Sequence, residues 1–364
     1  MEEERIDQRR SPIVERAAAM ETSLSSPPDV SESHMQMLVC NLHDDWSLEV
    51  ERGVLAGQAG SLDRLYGPKV QQGGIDFSFY TVGGDDEMFT YDRDYVRGTL
   101  RAIDVARQEI AASQIFSLCT NAADIARAKS EGRVGLMLTI EGAAPLDGDL
   151  SILRNMYGLG LRSIIVTWFK ANCAGDGVGE RRDGGLTNFG REMVAEMGRL
   201  GMLIDISQSS PRTVDDVLES TKGPIVASHS NCGGLYQHVR NLTDDQLRGL
   251  AATGGVIGIT SFPAHVGSEP SFDHFLDHIE YAVALVGVEH VGLGLNVVVH
   301  GDEQARSFYR RSNIDFTNLS LMGIENLESF PNITQGLVMR GFAQQDIARI
   351  MGGNVIRVIE KSIG

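Results

Sequence analysis

From residue 37 onward, short apolar, β-branched runs alternate with longer stretches of helical period, and this alternation constrains the fold more than any other feature. Eight runs read as strands: 37–41 (MLVCN), 75–80 (IDFSFY), 134–140 (VGLMLTI), 162–167 (RSIIVT), 202–206 (MLIDI), 224–228 (PIVAS), 255–260 (GVIGIT) and 290–295 (HVGLGL). Amphipathic segments lie between them, among them 94–112, 187–200, 210–220, 243–252 and 272–286. Thr243, with Gln246 three residues on, has the form of a capping box. Strands joined by helical crossovers pair in parallel, and eight such strands close a (β/α)8 barrel. The expected fold class is therefore α/β, a (β/α)8 TIM barrel, with an open doubly wound sheet as the alternative. No GxGxxG opens a helix after the first strand, which weakens a dinucleotide-binding version of that alternative.

After the eighth strand, 332–351 reads as two helices broken at Gly341, and 352–363 as a last one. No repeat or linker divides the chain, so 37–364 is expected to form one barrel domain with C-terminal helices. Residues 1–36 are polar, with Ser-Ser-Pro-Pro at 25–28, and read as a mobile tail with at most a short helix over 13–20.

The formal charge is −17, of which only −4 lies in the first 36 residues, so the acidity belongs to the folded body. That balance argues against nucleic acid or an anionic membrane as a partner, since both demand basic patches. No run reaches the ~18 apolar residues of a spanning helix, and the acidic start MEEERIDQRR is unlike a signal peptide. Four cysteines (Cys40, Cys119, Cys173, Cys232) without CxxC spacing read as reduced thiols. A cytoplasmic protein is expected.

In a barrel of this kind the chemistry gathers at the C-terminal ends of the strands. His43 and Asp45 follow the first strand two residues apart, so extended chain points both the same way. Imidazole and carboxylate together suit a divalent metal. Glu141 ends the strand over 134–140, and His229 follows the one over 224–228. Taken singly, Glu141 could be a helix N-terminal carboxylate and His229 a hydrogen-bonded core histidine. Four such residues converging on one barrel mouth favour metal binding. His265, His274, His278 and His290 are assigned to helix or loop surface, and His300, just past the eighth strand, is a more distant candidate.

At these residues the chain resembles the membrane dipeptidase (renal dipeptidase, peptidase M19) family of the metal-dependent hydrolase superfamily. The resemblance rests on 41–46 with its HxD, on Ile140-Glu141-Gly142, and most distinctively on 176–190 and 196–207. Pro224 to His229, Arg240-Asn241 with Asp244-Asp245, and Gly352-Gly353-Asn354 continue it in order. It implies that His43, Asp45 and the bridging Glu141 hold one zinc ion, and that Glu141 and His229 contribute to a second. It also implies that Arg240 clamps a substrate carboxylate, that an aromatic wall lies near Phe77, Phe79 and Tyr80, and that the protein is a homodimer acting on a dipeptide-like small molecule.

The departures from the family pattern are clustered. Gln208 stands where the second metal's first histidine is expected, and an amide is a poor zinc ligand. Asn296 stands in place of the proton-shuttling aspartate, Val298 in place of another aspartate, and Trp168 in place of a histidine that stabilises the tetrahedral intermediate. Ala143 and Ala144 replace a glycine and a histidine. The metal site is therefore expected to be altered and mononuclear, with Glu141, Asn296 and Trp168 at the catalytic positions. The expected activity is hydrolysis of a dipeptide or small amide, His300 or Asp44 being possible proton carriers. The alternatives are a non-hydrolytic, metal-assisted step in a biosynthetic pathway, and a non-catalytic small-molecule-binding protein.

Overall fold

The computed structural model describes residues 29–85, 94–297 and 320–364. Among the described residues nine strands form one parallel sheet: β1 (Cys40–Asn41), β2 (Phe77–Gly84), β3 (Phe116–Leu118), β4 (Val134–Glu141), β5 (Leu161–Ile165), β6 (Leu203–Asp205), β7 (Val226–Ser230), β8 (Val256–Ile259) and β9 (Val291–Leu293). The order β1-β2-β4-β5-β6-β7-β8-β9 follows the chain, and helices lie between successive strands. At the seam the Leu42 amide donates to the Leu293 carbonyl at 2.9 Å, which brings the first strand back to the last and nearly closes a (β/α)8 barrel.

The eight expected strands are all present, and β3 is the addition. It pairs with the first half of one β4 edge, from Phe116 against Val134 to Leu118 against Leu136. On that strand β5 begins at the second half, with Leu138 against Leu161. A strand of three residues, two of them half-buried, has too little alternation to announce itself.

Alternation divides the core into two layers. Leu42, Phe77, Phe79, Met137, Leu203, Val226 and Val256 pack together inside the barrel, continuous with Val355 and Ile359 of the last helix, Asn354–Ser362. Tyr80, Val82, Leu136, Leu138 and Ile140 belong to the larger layer between sheet and helices. The helices begin where their caps dictate. Thr187 and Ser210 accept amides of the first turns of Asn188–Leu200 and Pro211–Ser220, and both arms of the Thr243–Gln246 capping box are made. The expected break at Gly341 falls between Phe330–Met339 and Gln344–Ala348, where that glycine has φ +80°. The segment before the last helix is one π-helical turn, Arg349–Gly353.

Two expectations need correction. The packed chain begins before residue 37: Ser31–Gln36 is helical, and His34 is fully buried, its ring nitrogens 2.7 Å from Thr334 Oγ1 and 2.9 Å from the Gly73 carbonyl. The helix expected over 13–20 lies outside the described residues. His265 and His278 are buried rather than on the surface, His278 receiving the Cys232 amide at 3.2 Å and facing the Val266 carbonyl at 3.0 Å. All four cysteines are free. Among the described residues no helix is long and apolar enough to cross a membrane.

Two glycine substitutions test this packing. A Cβ on Gly294 would lie 1.6 Å from the Ser228 carbonyl oxygen, whereas one on Gly198 would meet nothing within 4 Å. Urea denaturation should show Gly294→Ala destabilised by about 3 kcal/mol or more. Gly198→Ala, within a helix, should be neutral or up to ~1 kcal/mol more stable. Equal effects of the two would contradict this arrangement.

Candidate metal centre

Glu141 ends β4 on the same strand face as Met137, so alternation turns its carboxylate into the barrel mouth. His43 leaves the barrel two residues beyond β1. There the Asn41 side-chain amide donates to the His43 carbonyl at 2.9 Å, and Asn41 Oδ1 accepts the Leu295 amide at 3.0 Å. One buried side chain thus fastens the seam and aims the first histidine. His229 lies within β7, and its amide donates to Ser207 Oγ at 3.0 Å.

These three residues converge. His43 Nε2 is 3.7 Å, and His229 Nε2 3.6 Å, from Glu141 Oε1, and the two imidazoles stack with centroids 3.8 Å apart. Asp45 Oδ1 is 3.4 Å from His43 Nε2. His43, Glu141 and His229 are all buried, and their ligand atoms lie close enough together to hold one ion. Both ring nitrogens of His43 and Oδ1 of Asp45 are buried without a hydrogen-bond partner. Leaving such atoms unpaired costs about 1–3 kcal/mol each, and a divalent cation is the ligand that two imidazoles and two carboxylates would satisfy.

The surroundings prepare His229 for that role. Burial, with the neighbouring His43, Arg240 and His265, holds its pKa well below the usual range, so the ring is neutral. Nδ1 lies 2.8 Å from Ser228 Oγ. With the proton on Nδ1, the Nε2 lone pair faces Glu141. Asp205, fully buried at the end of β6, accepts the amides of Ser207 at 2.9 Å and Ser228 at 3.0 Å and so ties the ends of β6 and β7 together.

Gln208 belongs to the same cluster. Its Nε2 contacts Glu141 Oε1 and lies 3.0 Å from His229 Nε2. Arg240 is buried, with Nη2 donating to the His229 carbonyl at 3.1 Å and Nη1 left without a partner. Burial lowers its pKa to about 10, which leaves it charged at neutral pH. Gln208 and Arg240 also line a cavity of about 350 Å³ with Ser209, His238 and Gln246.

Phe77 and Tyr80 lie apart. Phe77 is deep in the barrel against Phe79, and Tyr80 packs on the helix side of β2 against Trp46, so neither reaches the cluster. Asp44 is buried against Ser78 Oγ, its carboxyl pushed well up by burial, and is tied down rather than poised to carry protons. Trp168 and Asn296 are half-buried at the strand ends, and Asn296 has φ +51°. Val298 and His300 lie outside the described residues.

Asp85 is a residue the sequence reading missed. Its amide donates to the Glu141 carbonyl at 2.8 Å, and its carboxylate accepts from the Ala144 amide at 2.6 Å, Asn172 Nδ2 at 2.7 Å and the Trp168 amide at 3.3 Å. It therefore fastens the loops after β2, β4 and β5 around Glu141. Gly142, at φ +103°, makes room for it, since a Cβ there would strike the carboxylate. The available signal was a strand ending in Gly-Gly-Asp, the same pattern of a carboxylate at a strand end that singled out Glu141.

Comparison with known proteins agrees with this picture. Residues 29–305 match the family described as membrane dipeptidase (peptidase family M19). Dipeptidase verJ of Clonostachys rogersoniana is 30% identical over 308 residues, covering 82% of this chain and 74% of that protein. An uncharacterized dipeptidase of Schizosaccharomyces pombe is 33% identical over 281 residues, 73% of this chain and 63% of its own length. Among solved structures, an amidohydrolase from Pseudomonas aeruginosa superposes with a TM-score of 0.79 at 26% identity, over 93% of this chain and 100% of that one. A Rhodobacter sphaeroides metallopeptidase, liganded with a phosphinate mimic of L-Ala-D-Ala, shares the fold at a TM-score of 0.76 and 21% identity, over 90% and 99% of the two chains.

Asp85 supplies a pH test. Desolvation raises its pKa to about 6, above the value in an unfolded chain. The folded state therefore holds this proton more tightly, and the associated stability is full below about pH 4 and lost as pH rises through about 6. In metal-free protein, the stability of the unaltered chain relative to Asp85→Asn should fall by about 2 kcal/mol between pH 4 and pH 7.5. A difference independent of pH would contradict this assignment.

Proposed function

The chain belongs to the membrane dipeptidase family, peptidase family M19, and from that membership we propose that it hydrolyses the amide bond of a dipeptide or dipeptide-like small molecule with one divalent ion. The observation that carries the proposal is the convergence of His43, Glu141 and His229 on one point of the barrel mouth. His43, Asp45, Glu141 and His229 would hold the ion, and imidazole with carboxylate favours zinc. Such an ion supplies Lewis acidity, acidifying water and polarising the scissile carbonyl.

The protein's own groups do the rest. Arg240, charged and buried with Nη1 unpartnered, binds the substrate's terminal carboxylate. Asp85 and Asp205 hold the loops that aim Glu141 and His229. Asn296 cannot take or give a proton, and the absence of a general acid/base at that position is expected to slow turnover by about 10²–10⁴-fold. This favours, as a second reading, a repurposed site that polarises a carbonyl or carboxylate without hydrolysis. The net charge of −17 supports a small-molecule partner over nucleic acid or an anionic membrane. Four free cysteines support a reducing, cytoplasmic setting, and the homodimer is carried by family likeness alone.

The test is hydrolysis of a panel of free dipeptides by zinc-loaded protein, lost on chelation and restored by zinc. Arg240→Ala should raise KM about 10–100-fold for free dipeptides, the loss of charged hydrogen bonds worth about 1.5–3 kcal/mol. It should leave dipeptides with an amidated C-terminus much less affected. No cleavage of any dipeptide by fully loaded protein would rule out the hydrolytic reading.

A further inference from the structure

Gln208 combines an unfavourable backbone with an exact use of its side chain. It is one of three non-glycine residues with positive φ among the described residues, at +64°. Glutamine has no local reason to adopt that conformation, which persists only where the surroundings enforce it. Its side-chain amide, buried at the mouth, is the compensation. Its Nε2 donates to the Glu141 carboxylate and lies 3.0 Å from His229 Nε2, so it stands between the two side chains.

The amide thus stands between the two groups that the family resemblance assigns to a second cation.

The remaining spacings describe a single site. Four ligands about 2.0–2.1 Å from a tetrahedral zinc ion lie about 3.4 Å from one another. Here Glu141 Oε1 lies 3.7 Å from His43 and 3.6 Å from His229, the three ligand atoms forming one compact group that Asp45 joins through His43, at 3.4 Å. The stacked rings bring both imidazole edges to the same side.

We propose that one divalent ion is shared by both histidines, ligated by His43, Asp45, Glu141 and His229, and that Gln208 is a positioning residue that holds Glu141 and His229 in place and excludes a second ion. This departs from two half-sites joined only by Glu141, in which a lone ion would have a single imidazole ligand. With an ion on His229, the amide would keep its hold on Glu141. The inference rests on the one-ion reading above but not on hydrolysis.

The experiment loads metal-free protein with zinc, removes the excess by dialysis, and combines elemental analysis with X-ray absorption spectroscopy at the zinc edge. The expected result is one zinc per chain with two imidazole ligands. Gln208→Ala should still bind one, about 10-fold more weakly, and Gln208→His should take up a second. Two zinc ions in the unaltered protein would overturn both this inference and the one-ion reading. One zinc with a single imidazole would overturn this inference alone. A folded Gln208→His protein that stays at one zinc would show that Gln208 does not exclude the second. If that variant does not fold, the imidazole count of the unaltered protein decides. Failure to cleave dipeptides would count against the hydrolase reading and leave the metal result standing.

Discussion

The Glu141 carboxylate organises the mouth of this barrel. It is buried at the end of the strand that β2, β3 and β5 all flank, and within hydrogen-bonding or ion-pair range it meets Gln208, His43 and His229. A buried carboxylate is tolerated only where donors or cations compensate it. The geometry around Glu141 follows from that requirement: two imidazole edges turned toward it, one amide donating to it, and a guanidinium a short way off. Remove the carboxylate and the remaining groups have no common target.

Holding that arrangement falls to three buried polar residues outside the ligand set. Asn41 spans the barrel seam and fixes the backbone of His43. Asp205 gathers the amides of Ser207 and Ser228, on either side of which lie Gln208 and His229. Asp85 gathers the loops after β4 and β5 and is itself hydrogen-bonded to the Glu141 backbone. Each turns otherwise orphaned backbone amides into anchors, so the ligands sit on braced strand ends rather than on free loops. The constraint reaches the backbone as well: Gln208 and Asn296, two positions expected from the sequence to depart from the family pattern, both have left-handed φ.

Much of this was legible in the residues alone, and the limits have physical causes. Long, periodic segments declared the barrel, because eight apolar runs separated by capped amphipathic helices leave few other folds open. Strand β3 was not legible, since three residues, two of them half-buried, carry no period. His43, Asp45, Glu141 and His229 were readable as strand-end polar residues, and their convergence follows from the barrel itself. Tyr80 was placed on the pocket wall although strand parity sets it opposite Phe77 and Phe79, and parity prevailed. His265 and His278 read as surface residues because burial depends on which helix face packs inward; both ring nitrogens of His278 find partners there, whereas His265 Nδ1 is buried without one. The use of Gln208 as a donor to two metal-type ligands could not be read in advance. The family resemblance implies a lost ligand there, while the position of its amide emerges only once three strand ends are brought together.

The central claim is that the mouth of this barrel is built around one shared divalent ion. Anomalous diffraction at the zinc edge from crystals of zinc-loaded protein tests it most directly. The account predicts a single strong peak per chain, within bonding distance of both His43 and His229 and of Glu141. Two peaks on opposite sides of the Glu141 carboxylate, or one peak bonded to His43 without His229, would contradict it.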